Sequence, residues 1–155
     1  MKAIVIKKQN TKEFDQLISC YTQEMGKINA VAKSILKPTS LQSMQLDVFN
    51  LVEFELVEGK SWPIITVAQC SNGYRNIRKD LKRLAVAYFF MEAMDKIVFA
   101  QDRDDELWNF LINLLEDLNS PEEIKLTVLF RDYQSKLLAI FGYALAVEPS
   151  QQQLN

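Results

Sequence analysis

Histidine is absent from this chain, and its absence removes a large part of enzyme chemistry. The 155 residues include no His and only two cysteines, Cys20 and Cys70. Without histidine, Ser-His-Asp catalysis, Cys-His catalysis and almost all zinc-enzyme ligand sets are excluded. The two separate thiols cannot form a four-cysteine zinc site, and each lies in or beside an apolar run, as reduced, buried thiols do. We therefore expect that the protein is not an enzyme and that it has no metal or cofactor site.

Glycine is scarce, and long apolar runs are missing. Four glycines cannot build a Gly-rich phosphate loop of the usual form. The longest apolar run, residues 84–91, is interrupted by a tyrosine and is far shorter than the roughly 20 residues that span a bilayer. The apolar part of residues 1–8 is too short for a secretion signal. These absences predict a cytoplasmic protein without a membrane segment.

The charges that are present are distributed unevenly. Residues 1–83 hold 13 Lys and Arg against 8 Asp and Glu, whereas residues 84–155 hold 5 against 12. The first part is therefore net positive by 5 and the second net negative by 7. This asymmetry suits one end of the molecule to phosphates and the other to basic or neutral partners.

Short alternating runs before residue 73 predict five β-strands. They cover about residues 3–8, 14–21, 28–32, 51–57 and 63–69, with a tight turn at 25–27 and a loop over 33–43. The turn at 25–27 should place Tyr21 and Thr22 near Lys27 and Ile28. Five short strands in about 70 residues match the size of a Greek-key barrel of the OB type, with a split sheet as the alternative.

After residue 74 the apolar positions repeat every three to four residues, which is typical of helices. The first predicted helix runs from Arg75 to Phe99 and is apolar nearly all round over 84–91, as expected of a central buried helix. The second begins at residues 104–106. The third opens with a capping box at 120–123 that has proline at its first helical position, and continues to Gly142. The predicted class is α+β: an OB-fold domain over 1–73, then a helical domain over 74–155.

The basic segment, residues 74–83, contains five cations. They are Arg75, Arg78, Lys79, Lys82 and Arg83. The first four follow i, i+3, i+4 and i+7 spacing, which places them on one face of the predicted helix. They also occupy its first turns, where the helix dipole disfavours positive charge and a bound phosphate would compensate. The alternative is an ordinary solvated face.

A second set of cations lies at strand ends and in the long loop. It comprises Lys7, Lys8, Lys27, Lys33 and Lys37. OB folds bind single strands with such cations together with aromatic side chains that stack on bases. The available aromatics are Tyr21, Phe49, Phe54 and Trp62. The alternation around Phe49 and Phe54 favours a core position for both, whereas Tyr21 and Trp62 remain open.

Five segments together carry a family resemblance. They are AIVIKK at 3–8, EMGKINAVAK at 24–33, FNLVEFEL at 49–56, DLKRLA at 80–85 with Tyr88 after it, and IFGY at 140–143. In this order and spacing the sequence resembles the RecO family of bacterial recombination mediators. The first three segments resemble the N-terminal half of that family, the fourth the start of its helical domain, and the last the approach to its zinc-binding segment.

The resemblance implies an OB-fold domain joined to a helical domain. It also implies binding of single- and double-stranded DNA, annealing of complementary strands, and exchange of single-strand-binding protein for recombinase together with a RecR-like partner. The DNA-binding role would fall on the second set of cations, the five lysines named above, and on the basic segment. The chain departs from the family because no cysteine cluster follows residues 142–143, so we expect a short form or a fragment without the zinc site. The alternative function is a protein–protein adaptor that kept the fold without DNA binding.

Overall fold

Five strands are followed by four helices in the computed structural model, which describes residues 1–12, 14–33, 35, 43–99 and 103–142. The strands are β1 (Lys2–Asn10), β2 (Gln16–Thr22), β3 (Gly26–Ala32), β4 (Leu51–Val57) and β5 (Ile64–Asn72). The helices are α1 (Arg75–Arg78), α2 (Leu81–Ile97), α3 (Asp105–Leu118) and α4 (Leu126–Ile140). All five predicted strands are confirmed, with ends that differ by a few residues. No helix within the described ranges is long and apolar enough to cross a membrane.

The strands close into a barrel in the order β1-β2-β3-β5-β4, with β4 returning to pair with β1. Every neighbouring pair is antiparallel except β3 and β5. Tyr21 lies opposite Lys27 across the β2–β3 hairpin, as the turn signal predicts. Alternate residues fill the interior, among them Val5, Ile18 and Phe54. The OB-type barrel is therefore confirmed.

β1 is buried on both of its faces, which joins the barrel to the helices. Ala3 and Val5 point into the barrel, whereas Ile4 and Ile6 belong to the apolar cluster that the helices share. α2 packs along the outside of β1 and contributes Phe90 to that cluster. The outer face of the barrel at β1 is thus also part of the core of the helical part.

The prediction of one continuous helix from Arg75 to Phe99 is wrong. α1 ends at Arg78, and a second helix begins at Leu81. Between them Asp80 has an extended backbone, and its carboxylate accepts from the N–H groups of Lys82 and Arg83 at 3.0 and 3.4 Å. A side chain in that position is an N-cap, so it starts a new helix instead of continuing the old one.

α2 is also less buried than predicted. Ala87, Phe90 and Met91 are buried on the side that faces β1 and the other helices. Tyr88 and Phe89 are 46% and 44% exposed, although Tyr88 packs edge-on against Phe49 and Phe89 against Phe130. The apolar sequence all round the helix therefore covers a core and also leaves two aromatic side chains partly exposed at its edges.

The predicted start of the third helix at 120–123 is wrong as well. α4 begins at Leu126, and residues 120–125 form no helix. The guanidinium of Arg83 donates to the carbonyls of Leu118, Ser120 and Glu122. Those carbonyls point sideways to the arginine, so they cannot accept the i→i+4 bonds of a helix. The predicted end is confirmed, because Gly142 follows the C-cap with φ +83° and its N–H bonds to the carbonyl of Ala139.

Candidate nucleic-acid interface

Arg78 is bound within the protein at the junction between barrel and helices. Its Nε donates to the carbonyl of Gly73 at 2.9 Å. Its Nη2 donates to the carbonyl of Val48 at 2.9 Å and to Oδ1 of Asn50 at 2.6 Å. The guanidinium also lies 4.0 Å from the centre of the Phe49 ring. This side chain is occupied by protein acceptors and a cation–π contact.

Arg83 is occupied in the same way. Its three backbone acceptors lie 2.5 to 2.9 Å away, and Nε contacts the carboxylate of Asp80 at 3.5 Å. Only 11% of the side chain is exposed. Arg78 and Arg83 therefore support the fold, since both guanidinium groups already bind acceptors within the protein.

Lys27 and Lys7 bind the end of α2. Nζ of Lys27 donates to the carbonyls of Asp95 and Val98 at 2.6 and 3.3 Å. It also pairs with the Asp95 carboxylate at 3.3 Å, and Lys7 pairs with the same carboxylate at 3.4 Å. A cation at the carboxyl end of a helix complements the helix dipole. These two lysines tie the barrel to α2.

Lys8 pairs with Asp47 at 3.0 Å, which fixes the segment before β4 against β1. Lys37 lies outside the described residues. The remaining predicted cations, Lys33, Arg75, Lys79 and Lys82, are exposed and make no ion pair within the described part of the chain. The nine predicted cations that the structure describes therefore divide into five that bind within the protein and four that make no ion pair there.

The four cations without an ion pair in the described residues lie at opposite ends of β5. Lys33 lies with the β4–β5 loop, whose last residue precedes Ile64. Arg75, Lys79 and Lys82 follow the other end of the strand, at Asn72. At 3.3 Å per residue, β5 separates the two ends by about 26 Å. The predicted cations thus do not form one continuous surface.

Lys33 lines a cleft of about 760 Å³ at the end of the barrel, which we call the barrel cleft. Its charged and aromatic lining consists of Lys12, Asp15, Lys33, Glu58, Lys60 and Trp62. Lys12 and Asp15 come from the β1–β2 loop, and Glu58, Lys60 and Trp62 come from the β4–β5 loop. These are the two loops with which OB folds bind oligonucleotides.

Lys12 and Lys60 are the functional candidates that sequence reasoning missed. Both are exposed and make no ion pair within the described residues. The signal that could have found them is topological, because an OB barrel brings the first and last hairpin loops to one end. Each lysine stands alone in its own stretch of sequence.

The four candidate aromatics have different environments. Phe49 and Tyr21 are fully buried and Phe54 is 3% exposed, whereas Trp62 is 44% exposed. The hydroxyl of Tyr21 donates to the carbonyl of Asp104, the N-cap of α3, at 3.1 Å. Phe49 and Phe54 thus lie in the core as predicted, and of these four Trp62 is the one that can meet a base.

The thiols are poorly suited to chemistry. Burial raises the pKa of Cys20 to about 12. Burial is also the largest cause of the raised pKa of the half-buried Cys70. Both thiols therefore stay protonated at neutral pH, and a protonated thiol is a poor nucleophile. Among the residues that the structure describes, no three His, Cys, Asp or Glu side chains are placed to hold a metal ion.

Two family models match the chain one after the other. The N-terminal model of recombination protein O matches residues 1–74, and its C-terminal model matches residues 78–149. The chain belongs to the RecO family. The closed five-stranded barrel lies within the first match and the helices within the second.

Curated relatives match nearly the whole chain. A DNA repair protein RecO from Moorella thermoacetica is 29% identical over 147 residues, which cover 95% of this chain and 54% of the relative. The protein of that name from Dehalococcoides mccartyi strain BAV1 is 30% identical over 142 residues, covering 92% and 55%. That from Alkaliphilus metalliredigens is 27% identical over 141 residues, covering 91% and 57%. The chain spans a little more than half the length of these RecO relatives.

Proposed function

We propose that the chain acts in DNA repair and homologous recombination as a non-enzymatic mediator. In this role it binds single- and double-stranded DNA and assists strand annealing and recombinase loading. The observation that carries the proposal is the barrel cleft, where an exposed tryptophan and three lysines that make no ion pair with any described residue meet between the two loops with which OB folds bind nucleic acid. The names of the RecO relatives support the same role.

The binding is electrostatic in its main part. Lys12, Lys33 and Lys60 neutralise phosphates at the barrel cleft, and each phosphate contact releases condensed counterions into solution. Asp15 and Glu58 at the same cleft limit the local positive charge, so we expect modest affinity. Arg75, Lys79 and Lys82 provide a second backbone contact at the far end of β5.

The chain's partners follow from the same proposal. Besides DNA, it meets single-strand-binding protein and a RecR-like protein, in the cytoplasm. The net charge of −7 over residues 84–155 directs DNA to the barrel and leaves the helices for protein partners.

A salt titration tests the DNA-binding proposal. Labelled single-stranded DNA is titrated with wild type and with the variant Lys12→Glu, Lys33→Glu, Lys60→Glu at several salt concentrations. Because single strands lose about 0.7 ions per phosphate contact, loss of three contacts should lower the slope of log affinity against log salt by about 2. Affinity at low salt should fall steeply in the same variant.

The control variant carries the same change of charge elsewhere, with Arg103, Lys125 and Arg131 changed to glutamate. These residues are exposed and lie outside the barrel cleft and outside residues 75–82. The control should keep a slope much closer to that of wild type. Absence of wild-type binding at low salt would contradict the proposal, and an unchanged slope in the cleft variant would remove the barrel cleft from it.

A protein–protein adaptor without DNA binding is the second candidate. The observation that favours it is exposed apolar surface on the helices, where Phe89 is 44%, Leu138 47% and Val128 63% exposed. Such surface is typical of sites that contact other proteins. Binding of a protein partner by a chain that does not bind DNA in the titration would favour this candidate.

A further inference from the structure

We propose that Trp62 stacks on an unpaired base and thereby makes the barrel cleft selective for single-stranded DNA. The inference rests on the proposed DNA binding and adds to it the residue that distinguishes a single strand from a duplex. Lysines that contact phosphates do not detect whether a base is paired, because both forms present the same phosphate groups.

Trp62 has the accessible ring that stacking needs. Its side chain is 44% exposed, whereas Tyr21, Phe49 and Phe54 are at most 3% exposed. It also lines the barrel cleft beside Lys33 and Lys60. A base that reaches its ring therefore has cations nearby for the adjoining phosphates, which is the combination that single-strand-binding OB folds use.

The loop that carries Trp62 is held in place on both sides. The carbonyl of Pro63 accepts from the N–H of Val31 on β3 at 2.8 Å, and Ile64 continues as the strand that pairs there with β3. On the other side, a Cβ on Gly59 would lie 2.2 Å from the carbonyl oxygen of Trp62. Only glycine permits this close approach, so the indole is presented from a fixed backbone before any ligand arrives.

A duplex cannot use this ring in the same way. Both faces of each base inside a double helix are covered by its neighbours, so stacking on Trp62 would first require a base to leave the stack. An unpaired base has a free face and meets no such barrier. The cleft should therefore bind single strands more tightly than duplexes of equal charge, by the contribution of this one contact.

Binding by Trp62→Ala and Trp62→Phe tests the inference, with three probes that carry equal numbers of phosphates. The probes are oligo-dT, a strand of abasic nucleotides and a duplex. We expect the alanine variant to bind oligo-dT about 5- to 150-fold more weakly, the range of one stacking contact, and to bind the abasic strand and the duplex as wild type does. The phenylalanine variant should recover part of the loss, because it keeps a ring.

Tryptophan fluorescence gives an independent signal. Trp62 and the buried Trp108 are the two tryptophans of the chain. Oligo-dT should quench wild type and leave Trp62→Phe, which retains only Trp108, unquenched. The matched control is Val67→Ala, an exposed apolar side chain on β5 outside the cleft, which should bind all three probes normally.

The outcomes separate the two proposals. Wild type that binds none of the probes overturns the proposed DNA binding and this inference with it. Suppose instead that wild type binds DNA. The role of Trp62 alone is overturned if Trp62→Ala binds oligo-dT with the affinity of wild type, or if its affinity falls by the same factor on all three probes. The selective loss together with quenching from Trp62 supports it.

Discussion

Arg78 connects two turns with left-handed backbone conformations. Its positive charge in the sequence does not indicate this role. Phe49 and Tyr74 adopt left-handed backbone conformations, with φ of 60° and 51°, and each costs an ordinary residue about 1–2 kcal/mol. Arg78 donates to the carbonyls of Val48 and Gly73, the residues that precede them. One guanidinium therefore stabilises both turns at the point where the barrel meets the helices.

The change Arg78→Ala should lower the free energy of unfolding by about 2–4 kcal/mol, because it leaves acceptors without their charged donor. Arg78→Lys should recover only part of this, since an ammonium lacks the planar fork that reaches several acceptors at once. Urea unfolding followed by circular dichroism measures both variants.

The control for this measurement is Arg75→Ala. Arg75 is exposed and makes no ion pair within the described residues, so its removal should change stability by no more than about 0.5 kcal/mol. Equal losses in the Arg75 and Arg78 variants would show that the junction does not depend on the bonds of Arg78.

At the scale of elements, α1 and α2 are separate because a side chain caps the second. Asp80 precedes an apolar run, which is an ordinary signal for a helix start, but the cation spacing across residues 75–82 favours an uninterrupted helix. The start of α4 is different. It depends on Arg83, which lies 35 to 39 residues before its acceptors, so no local pattern could have predicted it.

Loss of the cap in Asp80→Ala should cost about 1 kcal/mol of stability, the usual value for an N-cap. Asp80→Asn keeps an oxygen that can accept from the N–H groups of Lys82 and Arg83, and should recover most of that loss. Thermal unfolding of the two variants beside wild type provides the comparison. An asparagine variant as unstable as the alanine variant would instead assign the effect to the ion pair of Asp80 with Arg83.

At the scale of the whole molecule, barrel and helices share one apolar cluster, beside a second cluster that fills the barrel interior. Ile4, Tyr21 and Phe49 of the barrel part lie in the shared cluster with Phe90 of α2 and Leu111 of α3. Aromatic rings continue the cluster to α4, where Phe90 and Phe130 lie 5.7 Å apart. Residues on both sides of the predicted boundary between 73 and 74 belong to this cluster. The division into an OB-fold domain and a helical domain at that point stays a prediction.

Two tyrosines of this cluster should make stability fall in alkali. Burial, with the charge of Glu116 as a smaller cause, raises the pKa of Tyr74 to about 12. Burial and the hydrogen bond to Asp117 raise that of Tyr133 as well. Because an unfolded tyrosine titrates near pH 10, stability should be full below about pH 10 and fall as the pH rises toward 12.

Urea unfolding at pH 9 and pH 11, together with the absorbance of phenolate, measures this effect. Tyr74→Phe should lose less stability than wild type between the two pH values, because it has no proton to release at that position. A folded protein in which every tyrosine titrates near pH 10 would contradict the expectation.

The fold could be predicted better than the site, for a physical reason. Strand alternation in residues 51–57 and helical periodicity in α3 are local and leave a clear mark on the sequence. The roles of Lys27 and Arg78 depend on acceptors far along the chain, at Asp95 and Val48. A cation that binds the protein itself and one that is free for phosphate look the same in a sequence.

The two-sided burial of β1 has a consequence for the order in which the chain is synthesised. β1 is synthesised before all the helices described above, but the helix that covers Ile4 and Ile6 ends only at Ile97. Between the completion of β5 at Asn72 and that of α2, translation at about 5–20 residues per second takes about 1–5 seconds. During that interval a nascent barrel has an uncovered apolar wall, so the last steps of its folding wait for residues that have not yet been made.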